Sequence, residues 1–133
     1  MTESPAFSPS ANKHWVAAQH ERDVARSLDG TCQPGSGAFD RKGDVLTEFL
    51  LLECKQTGLK SYRIRTKDVE KISRQAASQE RSPSMAFRFD SMAAGMERDW
   101  LMIPLRVAAE LLRRNKQSEA TPKYRADDHH ERR

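Results

Sequence analysis

Cysteine is scarce: Cys32 and Cys54 are the only two in 133 residues. Two thiols are too few for a disulfide framework, and no other Cys or His stands at zinc-ligand spacing. A reducing, cytosolic environment is the expectation that follows. Long apolar runs are absent as well. Nothing approaches the roughly 20 residues that cross a bilayer. Met1 to Ser10 lacks the basic segment and apolar stretch of a signal peptide. No internal repeat is visible, so solenoid and array architectures drop out. A large charge of one sign is missing too. The formal net charge is +4 with a pI near 9.3, which suits a nucleic acid, an acidic protein partner or plain solubility equally.

Hydrophobic residues make up 37% and charged residues 32%, enough for one core under a charged surface and one compact domain. Residues 1–11 read as a Ser/Pro-rich lead-in, 12–114 as the folded domain, and 115–133, ending in DDHHERR, as a polar tail. A helix is expected from Asn12 to Leu28, stopped by Asp29-Gly30. Thr31 to Gly37 reads as a loop. Two strands follow, Ala38–Leu46 and Phe49–Gln56, the second with the apolar run Phe49-Leu50-Leu51-Leu52 of a doubly covered strand. Ser61–Ile64 could be a third strand. Thr66 can cap a helix to Glu80 with Val69, Ile72 and Ala76 on one face. Met85–Phe89 and Trp100–Ile103 read as further strands. Leu105–Arg114 reads as a last helix with Ala108, Leu111 and Leu112 inward. The order predicts an α/β fold, a central mixed sheet flanked by helices.

The chemistry concentrates in Gly43-Asp44-Val45 and Glu53-Cys54-Lys55. Alternate residues of a strand share a face, so Glu53 and Lys55 point together. With Thr47-Glu48 as a two-residue turn, Asp44 lies opposite Leu51 and joins that face diagonally from Glu53. Two carboxylates beside an apolar run repel and are costly to desolvate, and a divalent cation relieves both problems. Mg²⁺ polarises a phosphate oxygen and acidifies bound water. Lys55 suits a phosphate or the charge that grows on it. Glu21 shares a helical stripe with His14, Ala17, Val24 and Leu28 and is a candidate third acid; a solvated charge beside Arg22 and Asp23 is the alternative.

Glu21, a Gly/Ser loop, Gly43-Asp44-Val45 and Glu53-Cys54-Lys55-Gln56-Thr57, in that order, resemble the PD-(D/E)XK nucleases. Within these they look most like archaeal-type Holliday junction resolvases and related phage endonucleases. The likeness spans Asn12 to Ile103, with Gly43 in the place of the family's proline. It implies a single-domain restriction-endonuclease-like fold. It also implies a Mg²⁺ or Mn²⁺ site at Asp44, Glu53, Glu21 and the Cys54 carbonyl, a phosphate role for Lys55 and a backbone contact from Ser36. Branched DNA as substrate and a homodimer, with no membrane, are implied in turn. A nicking or restriction-like endonuclease of the same fold is the alternative, and a non-catalytic DNA-binding module is another. Ser36 lies in PGSG, which as readily forms a simple turn. Lys67, Lys71, Arg74 and Arg88 are candidate DNA contacts, although such charges usually form a solvated face.

Overall fold

The computed structural model of the chain describes residues 9–33 and 43–120. The chain forms α1 (Pro9–Leu28), β1 (Thr31–Cys32), β2 (Val45–Leu46), β3 (Leu50–Thr57), α2 (Thr66–Ser78), β4 (Ser82–Phe89), β5 (Asp99–Met102) and α3 (Leu105–Ala120). The strands make one mixed sheet in the order β1-β2-β3-β4-β5. Only the β3–β4 pair is parallel, and α2 is its crossover. The α/β class expected from the pattern is the class observed. No described helix is long and apolar enough to cross a membrane. Ser36 and the 38–42 stretch of the first expected strand lie outside the described residues, as does most of the polar tail.

The apolar run at Leu50-Leu51-Leu52 is continuous because β3 is covered on both faces. Alternate residues go opposite ways. Leu52 joins Val24 and Ala25 of α1, Val45 and Ala86, with Leu28, Leu50 and Cys54 alongside. Leu51 joins Ile72 and Ala76 of α2, Met85 and Phe87, with Leu46, Tyr62 and Val69 alongside. Leu51, Leu52, Val45 and Ala76 are fully buried.

Four local expectations are corrected. Thr31–Cys32 is a short strand and not a loop, because it pairs with β2 at Thr31↔Leu46 and Cys32↔Val45. Ser61–Ile64 forms no strand; Tyr62 turns inward there and its ring meets Phe87 at 5.3 Å. The α2 cap is Arg65 and not Thr66, with the Arg65 amide donating to Asp68 Oδ2 at 3.4 Å. The buried stripe of α1 passes through His20 and Val24 while Ala17 is exposed, so it is rotated by about one residue from the expected stripe.

Arg88 is also corrected. It is only 6% exposed and lies on the α1 face of the sheet, not in a DNA groove. Its Nε donates to Asp99 Oδ1 at 2.7 Å and its Nη2 to Asp23 Oδ2 at 3.1 Å. The strand register sets Arg88 against Asp99. Hydrogen bonding from Arg88 holds Asp99 below the usual carboxylate range. One guanidinium thus ties helix α1 and strand β5 to β4.

The segment from Ile103 onward is a compact unit of its own. Its helix α3 starts after Pro104, whose carbonyl accepts from the Val107 and Ala108 amides. Glu110 pairs with Arg113 and Arg114 along the helix. Leu111 and Leu112, two residues of its expected apolar stripe, are exposed.

Replacing Arg88 with Ala removes three charge-assisted hydrogen bonds. Asp23 and Asp99 remain partly hydrated, which limits the loss. Urea denaturation of the Arg88→Ala protein is expected to show a stability loss of about 2–3 kcal/mol. A loss under about 0.5 kcal/mol would mean that Arg88 is not a structural clamp.

Candidate active site

Asp44 is positioned by the end of a ladder. The register pairs Val45 with Leu52 and Leu46 with Leu51. This is displaced by two residues from the expected register, in which Asp44 stood opposite Leu51. The reason is the turn. Thr47 Oγ1 accepts from the Phe49 amide at 3.2 Å and the Leu50 amide at 2.9 Å, while the Thr47 amide donates to the Leu50 carbonyl. Glu48-Phe49 is therefore the tip, not Thr47-Glu48. Arg81 Nε donates to the Thr47 carbonyl at 2.9 Å and the Ser82 amide to that of Phe49 at 2.8 Å, tying the tip to the start of β4.

Just before Val45 the ladder becomes irregular. The Asp44 amide donates to the Leu52 carbonyl at 2.7 Å, so Asp44 and Val45 both meet Leu52, as in a β-bulge. The Asp44 carboxylate then turns to β3 and accepts from the Cys54 amide, also at 2.7 Å. Gly43 makes this approach possible. Its φ is +82°, and a Cβ there would meet Leu51 Cδ1 at 2.6 Å. Where a proline would precede the acid, this chain needs a residue with neither a side chain nor a fixed negative φ.

Glu53 and Lys55 share one face of β3, with Nζ 3.2 Å from Oε2. With Asp68, Lys71, Ile72 and Met85 they line a small cleft against α2. A larger cavity of about 310 Å³ opens elsewhere, beside His20, Asp23, Asp99 and Trp100. It is the weaker candidate, since Asp23 and Asp99 are both engaged by Arg88. Lys71 is exposed and acts electrostatically on Asp44, so of the α2 cations it sits nearest the acids. Lys67 and Arg74 are exposed on the same helix.

The acids feel one another. Burial, then the charges of Asp44 and Glu53, push the Glu21 carboxyl up to about 7. Burial raises Asp44 against the pull of the Cys54 amide, and Glu53 adds to the rise. For Lys55 burial opposes the charge, but the adjacent Glu53 outweighs it and the ammonium is held more tightly than usual. The Cys54 thiol faces the α1 core, and burial pushes its pKa far up, so it is no nucleophile at neutral pH. Gln56 donates to Asp90 at 3.1 and 3.0 Å, and Thr57 Oγ1 accepts from the Leu59 amide.

Among the described residues no three His, Cys, Asp or Glu side chains are gathered tightly enough to chelate an ion by themselves. The donors on offer are the Asp44 and Glu53 carboxylates, the Cys54 carbonyl next after Glu53 in the chain, and Glu21 within electrostatic reach. An all-oxygen set with spare acid charge fits a hard cation that keeps some of its water. Comparisons with protein-family models, with curated proteins and with solved structures find no match for this chain.

Two predictions follow from this geometry. Gly43→Ala forces a side chain into the left-handed region against a buried leucine. Thermal or urea unfolding is expected to show a loss of about 1–3 kcal/mol, and an unchanged midpoint would remove the proposed reason for glycine.

The second concerns pH. Glu21 binds its proton more tightly in the folded chain than a free glutamate does at its ordinary 4.5. Its penalty is therefore absent below pH 4.5, grows as pH rises, and is complete above about 7. Glu21→Gln should raise the melting temperature at pH 8 and leave it nearly unchanged at pH 4.5. Added Mg²⁺ should raise the wild-type melting temperature at pH 8 more than that of the variant. A variant no more stable than wild type at pH 8 would mean that Glu21 is neither buried nor crowded by the other acids.

Proposed function

We propose that this chain is a metal-dependent, structure-selective DNA endonuclease of the PD-(D/E)XK type, acting on four-way junctions as a Holliday junction resolvase. The observation that carries the reading is the Asp44 carboxylate fastened to the Cys54 amide, between Glu53 and Lys55 on β3. This holds an acid, a second acid, a main-chain carbonyl and an ammonium within a few residues of one strand. Glu21 is drawn into the same electrostatic field.

In the proposed reaction water adds across a phosphodiester. A new P–O bond forms, the bond from phosphorus to O3′ breaks, and a 5′-phosphate and a 3′-hydroxyl remain. Asp44, Glu53, the Cys54 carbonyl and Glu21 would hold Mg²⁺ or Mn²⁺, which when bound supplies Lewis acidity and a more acidic water. The chain's own groups do the rest. Lys55, fully protonated at neutral pH, offers Nζ to a non-bridging phosphate oxygen and stabilises the charge that grows there. Glu21, in the field of Asp44 and Glu53, would complete the set of oxygen donors. Asp44 is held in place by the Cys54 amide, so little of its orientation has to be won when substrate arrives. Two symmetric cuts across a junction call for two copies related by a twofold axis, so the working form on this reading is a homodimer.

Labelled four-way, flap and linear DNA, incubated with Mg²⁺ or with EDTA, tests the reading. Paired cuts on the four-way junction are expected with Mg²⁺ only. Asp44→Ala and Glu53→Ala should abolish cutting and leave binding intact or tighter, because acid repulsion of the backbone is relieved. Lys55→Ala should slow cutting by about 100-fold or more. Equal cutting of linear DNA would keep the nuclease and discard the junction preference. DNA binding without cleavage of any substrate would leave a binding module.

A further inference from the structure

The chain's net charge is concentrated in one place. Between Lys60 and Arg74 stand six cations, Lys60, Arg63, Arg65, Lys67, Lys71 and Arg74, against the two acids Asp68 and Glu70. That segment alone is formally +4, the value for the whole chain, so the other residues together are formally neutral. All six cations are exposed, and none makes an ion pair with a carboxylate among the described residues. Structural cations usually find partners, as Arg88 does. A net +4 within these fifteen residues suits a polyanion.

The loop that opens this segment, residues 58–65, has a second property. It carries two exposed aliphatic side chains, Leu59 at 71% and Ile64 at 43%. It is also firmly held. The Leu59 amide donates to Thr57 Oγ1 at 3.0 Å, and Ser91 Oγ donates to the Leu59 carbonyl at 3.0 Å. Tyr62 is anchored on Phe87, and the Arg65 amide bonds to Asp68. Exposed Phe49, Met96 and Trp100 lie in segments with no comparable run of cations, and exposed Leu111 and Leu112 stand beside Arg113 and Arg114, which pair with Glu110. The loop continues directly from β3, whose Thr57 is two residues, or about 7 Å, beyond Lys55.

We propose that residues 58–65 form a fixed wedge, in which Leu59 and Ile64 enter a base step already loosened in branched DNA while Lys60, Arg63 and Arg65 grip the flanking phosphates. Apolar side chains driven between bases need a step that is cheap to unstack, and cations on either side supply the sequence-independent hold. The α2 cations Lys67, Lys71 and Arg74 extend the grip toward the Glu53/Lys55 cleft, which Lys71 itself lines. This inference rests on the endonuclease reading for its partner. It goes beyond that reading in assigning branch selectivity to a loop outside the carboxylate site.

The test measures binding in EDTA, so it does not depend on cleavage. The probes are a four-way DNA junction carrying 2-aminopurine beside the crossover and a linear DNA duplex of the same arm sequence. Leu59→Ala and Ile64→Ala alter exposed side chains, and circular dichroism with urea titration confirms that each still folds. Both are expected to keep linear-duplex affinity, lose about tenfold in junction affinity and lose the fluorescence rise that reports unstacking. The triple variant Lys60→Ala/Arg63→Ala/Arg65→Ala should weaken binding to both DNAs. It should also flatten the slope of log affinity against log salt by about 2–3. Variants of Leu59 and Ile64 that match wild type on the junction, while wild type still cuts it with Mg²⁺, would overturn the wedge alone. A wild-type chain that binds neither DNA would overturn the endonuclease reading with it. Tighter binding of an RNA duplex than of either DNA would overturn the choice of partner.

Discussion

The hydrogen bond from the Cys54 amide to the Asp44 carboxylate is the contact on which the site depends. β2 is two residues long and could not by itself hold a side chain in register. The carboxylate completes the edge of β3 where the β2 main chain departs, so a backbone donor finds its partner and the acid is oriented by the same bond. Everything nearby serves that junction. Thr47 closes the turn, Arg81 pins its tip, Gly43 lets the chain pass Leu51, and the Gln33 amide accepts the arrangement by donating to the Asp44 carbonyl at 2.9 Å. An acid held this way loses little further freedom when it acquires a ligand.

The two clusters of charge are balanced differently. On the α1 side two aspartates share Arg88, and the balance of one buried cation against two partly hydrated acids is structural. Around Asp44 the balance is not closed. Glu21, Asp44 and Glu53 act on one another, and Lys55 is the one ammonium in direct contact with any of them among the described residues. Burial without neutralisation raises carboxyl pKa values, as at Glu21 and Asp44. A fold that needs no function there has cheaper residues available, and this is why the uncompensated cluster, and not the better satisfied Arg88 triad, is the functional candidate.

What was legible in the sequence was what depends on short-range pattern. The period of two along Leu50 to Lys55 separates the α1-facing from the α2-facing residues, and the structure keeps that separation. Helices α1, α2 and α3 and strands β3 to β5 lie close to their expected positions. Less legible was whatever depends on a partner distant in the chain. Thr31–Cys32 has no strand signal of its own, and is a strand only because β2 lies beside it. Arg88 looked like a surface cation between two phenylalanines. Its meaning lies in Asp99 across the ladder and Asp23 from α1, and only the register could reveal the first of these. The hairpin register was missed because the side chain of Thr47, not the pair at the turn's tip, decides where the chain reverses.

The charge distribution joins these points into one constraint. An acidic centre repels a polyanion, so the phosphodiester substrate proposed above would have to be attracted by something else. A net charge of +4 spread evenly would do this poorly, being screened within about 8 Å at physiological ionic strength. Concentrated between Lys60 and Arg74, the same charge makes a local field beside the Glu53/Lys55 cleft. Binding of DNA would then be governed by one segment and chemistry by another, with Lys71 common to both. On that reading the loop after β3 would choose where on the DNA the chain settles, without disturbing the carboxylates that β2 and β3 hold in place.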